Sequence, residues 1–399
     1  MGVRLSVIVV SYNVKLLVSQ LLRAIENSRG VGEFEVWVVD NASSDGTREY
    51  LEEHWGDREW FRPIWNRDNV GFGRANNQAL KRARGERVLF LNPDVLLCED
   101  TLGEVLDFME REPGVGAVGV RMLHPTGRFA KESKRGVPTP RTAAVKLMGL
   151  GRLFPHAHWA GRYYAEHLGE RERGEIEIVS GAFMMVGRSV LSEVGGFDEE
   201  FFMYGEDIDL SYRIGRAGYR NYYLPIPIVH YKGESTQRNS YRHAYVFYNA
   251  MLIFFNKYYR RRWGLLGPFI WCFTIVAAMM SQLREWWSHL VPRRRTRERY
   301  LFIGRREEMK QVEAICDGYG VDIECREGTE LTLPEGHNSE GVNGESYDYV
   351  VYDMGVFRVG HVLELFERSG RASMGTYYSD EGVVILPRRQ MLRQSSIEE

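Results

Sequence analysis

Cysteine is scarce in this chain. Four occur in 399 residues, Cys98, Cys272, Cys316 and Cys325, and no two form a Cys-x-x-Cys pair. That excludes a dense disulfide framework and the usual zinc-site spacings, and a reducing, cytosolic setting is the simplest expectation. An excess of one charge is also missing. Lys plus Arg number 52 against 54 Asp plus Glu, a net charge of -2, so no global field argues for a nucleic-acid binder. The first apolar run, Leu5 to Val10, is too short for a secretory signal, and the chain shows neither internal repeats nor low-complexity tracts. What remains is a globular composition, 44% hydrophobic and 27% charged, in a length that suggests about two to three domains.

Apolar runs alternate with amphipathic segments. Leu5 to Val10 reads as a strand, and Val14 to Asn27 as a helix with Leu17, Leu21 and Ile25 on one face. Strands follow at Phe34 to Val39, Phe61 to Trp65 and Arg87 to Leu91, separated by helices near Thr47 to His54 and Ala75 to Arg84. Strand and helix in alternation predict an α/β domain with a mostly parallel sheet. Residues from about Arg121 to Gly174 read as a long loop region with short helices, often functional at that length. Its basic side chains, Arg128, Lys131, Lys134, Arg135, Arg141 and Lys146, suit either an anionic acceptor or a solvated face. Regular structure resumes with Ile176 to Val186, a helix at Arg188 to Val194, and a helix from Glu206 to about Ala217.

Residues 241–299 are aromatic and basic, and Trp263 to Leu283 holds no charge. Basic residues and Trp263, Trp271, Trp286 and Trp287 flank or line that segment, which is expected to associate with a membrane as an in-plane or re-entrant helix. Both soluble parts would then lie at the cytoplasmic face of a bacterial inner membrane. From Tyr300 a second, small Rossmann-like α/β pattern begins: strands at 300–303, 321–325, 347–352 and 382–386, helices to Gly318 and at 362–368, and a loop at 336–346. Its Gly304 follows a strand as nucleotide-binding glycines do, but without the rest of the fingerprint a plain scaffold is the preferred reading. Three units result, 1–240, 241–299 and 300–399.

The chemistry gathers at strand ends, where open α/β sheets bind ligands. Ser11-Tyr12-Asn13, Asp40-Asn41 and Asn92-Pro93-Asp94 all fall there. Asn92 and Asp94 offer hard oxygen ligands for Mg²⁺ or Mn²⁺ on a diphosphate, although Asn-Pro-Asp is also good turn chemistry. Asp40 can accept a hydrogen bond from a pyrimidine N–H, and Asp45 reads as the cap of the following helix. Asn69, Gly71, Arg74 and Asn76 precede or open a helix, the geometry in which backbone N–H groups meet phosphate. Glu206-Asp207 begins another helix, as a cap or as apposed carboxylates one of which becomes a general base. His230 closes a strand before a polar loop, where a structural role competes with a catalytic one.

Taken jointly, Val-Ile-Val-Val-Ser-Tyr-Asn13, Val-Val-Asp-Asn-Ala-Ser-Ser-Asp-Gly-Thr47, Asn69-Val-Gly-Phe-Gly-Arg-Ala-Asn-Asn77, Leu-Asn-Pro-Asp94, Ser-Gly-Ala-Phe183, Gly-Gly-Phe-Asp198, Glu-Asp-Ile-Asp-Leu210 and His-Tyr-Lys-Gly-Glu-Ser-Thr236 resemble the inverting glycosyltransferases of family 2, in the bacterial rhamnosyltransferase-like branch. The resemblance covers roughly Leu5 to Tyr259. It implies a GT-A fold, nucleoside contacts from Asp40 and the Ser11–Asn13 loop, and a metal on Asp94 with His230 as a further ligand. It also implies Asp207 as base, with Glu206 beside it. Asn92 stands where the family motif has its first aspartate, which leaves one negative charge fewer at the metal. The implied reaction moves a sugar from a nucleoside diphosphate donor to a lipid-linked or surface-polysaccharide acceptor. L-Rhamnose from dTDP-rhamnose is favoured, and UDP- or GDP-hexose or galactofuranose donors use nearly the same motifs. A processive synthase is excluded by the lack of Gln-x-x-Arg-Trp, and a nucleotidyltransferase by the lack of a glycine-rich loop after the first strand. A non-catalytic nucleotide-binding scaffold is the alternative of another class.

Overall fold

Seven residues from Leu5 to Ser11 form β1, and every one of them is buried. A strand apolar on both faces belongs in the interior of a sheet covered on both sides. In the computed structural model, which describes residues 2–138, 164–231, 240–263, 298–342, 344–387 and 389–392, β1 pairs in parallel with β2 (Phe34–Asp40) and β4 (Arg87–Leu91). The strand β3 (Phe61–Trp65) extends the parallel half beyond β2. The connecting helices are α1 (Lys15–Glu26), α2 (Thr47–Trp55) and α3 (Phe72–Leu80), and α1 buries Leu17, Leu21, Leu22 and Ile25 as its apolar spacing requires. The third helix starts three residues ahead of the expected Ala75, because Gly71 provides its N-terminal turn.

The other half of this sheet is mixed. It holds β5 (Val95–Leu97), β6 (Val115–Leu123), β7 (Gly174–Ile176), β8 (Phe183–Gly187) and β9 (Arg220–His230), with α4 (Thr101–Arg111), α5 (Arg188–Val194) and α6 (Glu206–Arg216) around it. The strand order is β3-β2-β1-β4-β8-β6-β9-β5, with β7 on β9. β6 occupies the start of the region expected to be loop, and Arg121 within it is buried. The expected continuous run from Ile176 to Val186 is two strands, β7 and β8, with residues 177–182 crossing between them.

The aromatic stretch before the apolar segment forms α7 (Ser240–Trp263). Its Ala250, Phe254 and Phe255 pack on Ile178, Phe201 and Ile208. Lys257, in the basic stretch that precedes the uncharged segment, pairs with Asp209 at 2.7 Å and Asp198 at 2.5 Å. Beyond Trp263, the segment to Leu283 lies outside the described residues, as do Arg141, Lys146 and Lys232 to Thr236. Among the described residues no helix is long and apolar enough to cross a membrane.

A second sheet follows, built from β10 (Tyr300–Gly304), β11 (Ile323–Glu327), β12 (Tyr349–Asp353), β13 (Ser373–Tyr378), β14 (Val383–Leu386) and β15 (Arg389–Leu392) with helices α8 (Arg306–Gly318) and α9 (Val359–Ser369). Its order is β11-β10-β12-β13-β14-β15, the first four strands parallel. The backbone turn after Gly304 is taken up by Asp353, whose carboxylate accepts from Arg305 Nε at 2.7 Å and Nη2 at 3.1 Å. Within the expected loop at 336–346, His337 is buried, donating or accepting at Tyr352 and Ser369 and packed on Phe366. The two sheets share one apolar core that joins Leu17 and Leu123 to Leu363 and Phe366. Buried Arg121 grips Glu367 at 2.7 and 3.0 Å, and Glu99 accepts from the Val359 N–H at the start of α9 at 2.8 Å.

Candidate functional site

The loops after β1 and β2 are laced together. Ser11 ends β1 opposite Asp40, and its carbonyl accepts from Asn41 N–H at 2.8 Å. Asn13 N–H donates to Ser43 Oγ at 2.8 Å, and Asn13 Oδ1 accepts from Ser44 N–H at 2.7 Å. The buried Asp40 carboxylate accepts from the Ser43 N–H at 2.9 Å and from the Ser43 hydroxyl. Burial raises its pKa above the ordinary carboxylate value, outweighing the Ser43 hydrogen bonds. Tyr12, between Ser11 and Asn13, is exposed. The cap position of α2 is Gly46 and not the expected Asp45, which lies one residue earlier, accepts from Thr47 N–H at 3.2 Å and also reaches Lys15 N–H at 3.3 Å, so that one carboxylate serves the starts of α1 and α2.

Asn41 carries this cluster to the next loop. Its Nδ2 donates to Asn69 Oδ1 at 3.2 Å and its Oδ1 accepts from Asn66 Nδ2 at 3.0 Å. Gly71 has φ +88°, and a Cβ there would meet the Phe202 carbonyl and ring at 2.8 Å, so this position excludes any side chain. Phe72 N–H donates to the Phe202 carbonyl at 2.8 Å, which ties the loop before α3 to the loop before α6. Arg74 is turned to Glu199 at 3.2 Å on the exposed side of α3, and Asn76 back onto the Phe72 carbonyl at 2.9 Å. Three of the non-glycine residues with positive φ, Asn13, Ala42 and Tyr204, lie in these loops, the kind of stored strain that functional sites carry.

On the far side, β9 pairs with β5 so that His230 faces Val95 in register, next to the buried Asp94. His230 Nε2 stands 3.2 Å from Asp94 Oδ1 and 3.5 Å from Asn92 Nδ2. The Asp94 carboxylate and the His230 imidazole, on two adjacent strand ends, are the groups here that could hold a cation such as Mg²⁺ or Mn²⁺, while Asn92 turns its Nδ2, a donor and not a ligand, toward the imidazole. Among the described residues no group of three His, Cys, Asp or Glu side chains is assembled for a metal, in keeping with the asparagine at position 92.

At the start of α6, Asp207 Oδ2 accepts from Arg135 and from Gly181 N–H at 2.9 Å. One residue on, the Ala182 carbonyl accepts from Asn92 N–H at 3.0 Å, so the segment Ser180–Ala182 joins the acidic helix start to the Asn92–Asp94 turn. Glu206 is buried with Oε2 unpartnered, and burial first, then the neighbouring Asp207 charge, raises its pKa to about 8. A carboxyl raised in this way makes its contribution to stability fall as pH rises from the ordinary carboxylate range toward about 8. Glu206→Gln is expected to remove that slope in urea unfolding at pH 5 to 9. Parallel profiles for the two proteins would show that Glu206 ionises normally.

Of the residues that the sequence placed at strand and helix ends, Ser11, Asn13, Asp40, Asn41, Asn69 and Gly71 are joined through short contacts in one cluster and Asn92, Asp94 and His230 in another. Asp207 meets Gly181, Glu206 keeps an unpartnered oxygen, and Arg74 and Asn76 turn to Glu199 and to the Phe72 carbonyl. Arg135 and Gly181 were assigned no place at Asp207. Lys134, counted with the surface basic loop, is buried and donates to the Ala165 and Leu168 carbonyls, and Arg128 donates to the Gly370 carbonyl at 3.0 Å. No pattern in the sequence separated Arg135 and Lys134 from solvent-facing charges such as the exposed Arg128.

A family model described as glycosyl transferase family 2 matches residues 6–195, and one described as glycosyl transferase family group 2 matches residues 156–303. The N-acetylglucosaminyl-diphospho-decaprenol L-rhamnosyltransferase of Mycobacterium tuberculosis is 30% identical over 290 residues, 70% of this chain and 88% of that protein. Rhamnosyltransferase WbbL of Escherichia coli is 29% identical over 171 residues, 40% of this chain and 61% of its own. Among solved structures, the mannosyltransferase PcManGT from Pyrobaculum calidifontis, in complex with GDP-Man and Mn²⁺, aligns at 22% identity and a TM-score of 0.45, covering 70% of this chain and 75% of that one.

Proposed function

We propose, from the premise that this chain belongs to glycosyl transferase family 2, that it transfers L-rhamnose from dTDP-rhamnose, with inversion, to a hydroxyl of a lipid pyrophosphate-linked saccharide. The chain is a glycosyltransferase. The observation that carries the mechanistic reading is the Ser180–Ala182 segment, which holds Asp207 by one residue and Asn92 by the next. A group poised against an acceptor and a group poised against a leaving diphosphate are thereby set on one rigid support. The rhamnosyl donor and the lipid-linked acceptor are supported by the 30% identity to the mycobacterial rhamnosyltransferase. Association with a membrane surface through residues 263–283 suits such an acceptor, at the cytoplasmic face of a bacterial inner membrane.

In this reading Asp40, Asn41 and the Ser11–Asn13 loop hold the nucleoside, and the Asn69–Asn76 segment faces the diphosphate. Asp94 and His230 would hold Mg²⁺ or Mn²⁺, which when bound offsets the charge of the leaving nucleoside diphosphate. Asp207 takes the acceptor hydroxyl proton as that oxygen forms its bond to the anomeric carbon and the donor's glycosyl–phosphate bond breaks on the opposite face. Arg135 and Gly181 N–H fix the Asp207 carboxylate for that step.

The test is release of nucleoside diphosphate by the purified chain from a panel of dTDP-, UDP- and GDP-sugars, with Mg²⁺, Mn²⁺ or chelator, in membrane lipid extract. Metal-dependent release from dTDP-rhamnose is expected. Release confined to a UDP- or GDP-hexose or to a galactofuranose donor would overturn the rhamnosyl assignment while keeping the chemistry.

A further inference from the structure

The second sheet lies almost wholly beyond the two family models, which reach residue 303, yet one of its buried carboxylates binds both α1 and α2 of the first unit. Glu381 stands in the turn between β13 and β14, its side chain 6% exposed. It accepts from Ser19 Oγ on α1 at 2.9 Å and from the Tyr50 hydroxyl on α2 at 2.5 Å, and it pairs with Arg23 of α1. Beside it, Gln20 Nε2 donates to Thr376 Oγ1 at 2.6 Å, and Asp380 pairs with Arg23 at 2.6 Å. No other turn of the second sheet binds two of the connecting helices at one atom group among the hydrogen bonds described.

Ser19 lies about one helical turn from the start of α1, and Tyr50 N–H closes the first turn of α2 on the Gly46 carbonyl at 3.1 Å. The loops that those two helices carry are bonded to each other at Asn13–Ser43, Asn13–Ser44 and Lys15–Asp45. The spacing of α1 and α2 is therefore held at the loop end by these bonds and one turn away by Glu381. Asn13 and Ala42, at φ +55° and +64°, keep unfavourable backbone conformations that persist only while their surroundings over-determine them.

We propose that Glu381 is a positioning residue for the nucleotide: the second sheet clamps α1 to α2 and so pre-forms the nucleoside cleft between the loops 11–14 and 40–46. The claim rests on the reading of those loops as the nucleoside site. Loss of the carboxylate strands the Tyr50 and Ser19 donors and leaves Arg23 to Asp380 alone, lets the helices shift, and makes the nucleotide supply the ordering that the clamp supplied before.

The experiment uses the full chain, with amide hydrogen exchange in the absence of ligand and calorimetric titration with dTDP and UDP. Glu381→Ala is expected to speed exchange in residues 12–15 and 42–46 by about tenfold, with β4 and β8 unchanged, and to weaken nucleotide binding by about tenfold. Glu381→Gln, whose amide oxygen still accepts from Tyr50 and Ser19, should fall between the two and carries the test where the alanine variant does not fold. Unchanged loop exchange in both variants would overturn the clamp, as would a fall in melting temperature without any change in nucleotide affinity. Asp40→Ala separates the two layers of the argument. Loops that loosen in Glu381→Ala while Asp40→Ala still binds both nucleotides as the unmodified chain does would instead overturn the nucleoside-site reading.

Discussion

Replacing Asp207 by asparagine is expected to lower the rate of transfer by about 10²–10⁴-fold, the usual contribution of a general base, while dTDP and UDP bind as before. The substitution keeps the shape of the side chain and its oxygen toward Gly181 N–H, so the support at Ser180–Ala182 survives. What disappears is an oxygen able to take a proton. Glu206, next in the chain, does not replace it. Burial is the larger of the two causes that hold Glu206 protonated, and burial remains when the Asp207 charge is gone. Kinetics with dTDP-rhamnose and a lipid-linked acceptor, alongside calorimetry with dTDP, read the two halves separately. Transfer retained within a few-fold would move the base elsewhere, whereas loss of nucleotide binding together with transfer would mean that Asp207 supports the fold of the cleft.

The second large effect is expected at the cation. Asp94→Asn should weaken Mn²⁺ binding in the presence of dTDP by about 100-fold, and His230→Gln by about tenfold, with Mn²⁺ electron paramagnetic resonance as the readout. Asp94 is the sole carboxylate of the set, since the turn has Asn92 at its first position, and its removal leaves neutral donors only. The imidazole is one neutral ligand whose place water can take, which is why the smaller effect falls on His230. Both residues sit where β4 gives way to β5 and where β9 ends, so the backbone should tolerate either change. Mn²⁺ binding by Asp94→Asn at the affinity of the unmodified chain would place the cation on other residues.

The residues near these two groups differ in how far the sequence betrayed them. Asp40 and Asp94 follow apolar runs that can only be interior strands, and interior parallel strands put their C-terminal ends on one edge, so the position of both was readable from local pattern. The same holds for Glu206 and Asp207 at the start of an amphipathic helix. Arg135 was not readable in this way. It lies 72 residues from Asp207, in a basic stretch where Arg128, Lys131 and Lys134 look alike, and only the packing of that stretch against residues 178–181 selects it. Lys257 is a similar case, since a lysine in the basic stretch before an apolar segment has no partner legible in the sequence until α7 lies on α6 and Asp209 is buried beneath it. The early part of the region read as loop from Arg121 is strand, because β6 gains its partners from β8 and β9, far along the chain.

By itself, then, the sequence determined the alternation of strand and helix, the polar residues at the strand ends, the helix-start acids and the existence of a second α/β unit, all of which follow from side-chain periodicity over a few residues. Only the tertiary structure decided which charges meet: Arg135 with Asp207, Arg121 with Glu367, and Glu381 with Ser19, Arg23 and Tyr50 across more than 300 residues of chain. The physical reason is that a buried charge must find a partner, yet many side chains of the right sign are available, and the choice among them is made by whichever surfaces the apolar core brings together.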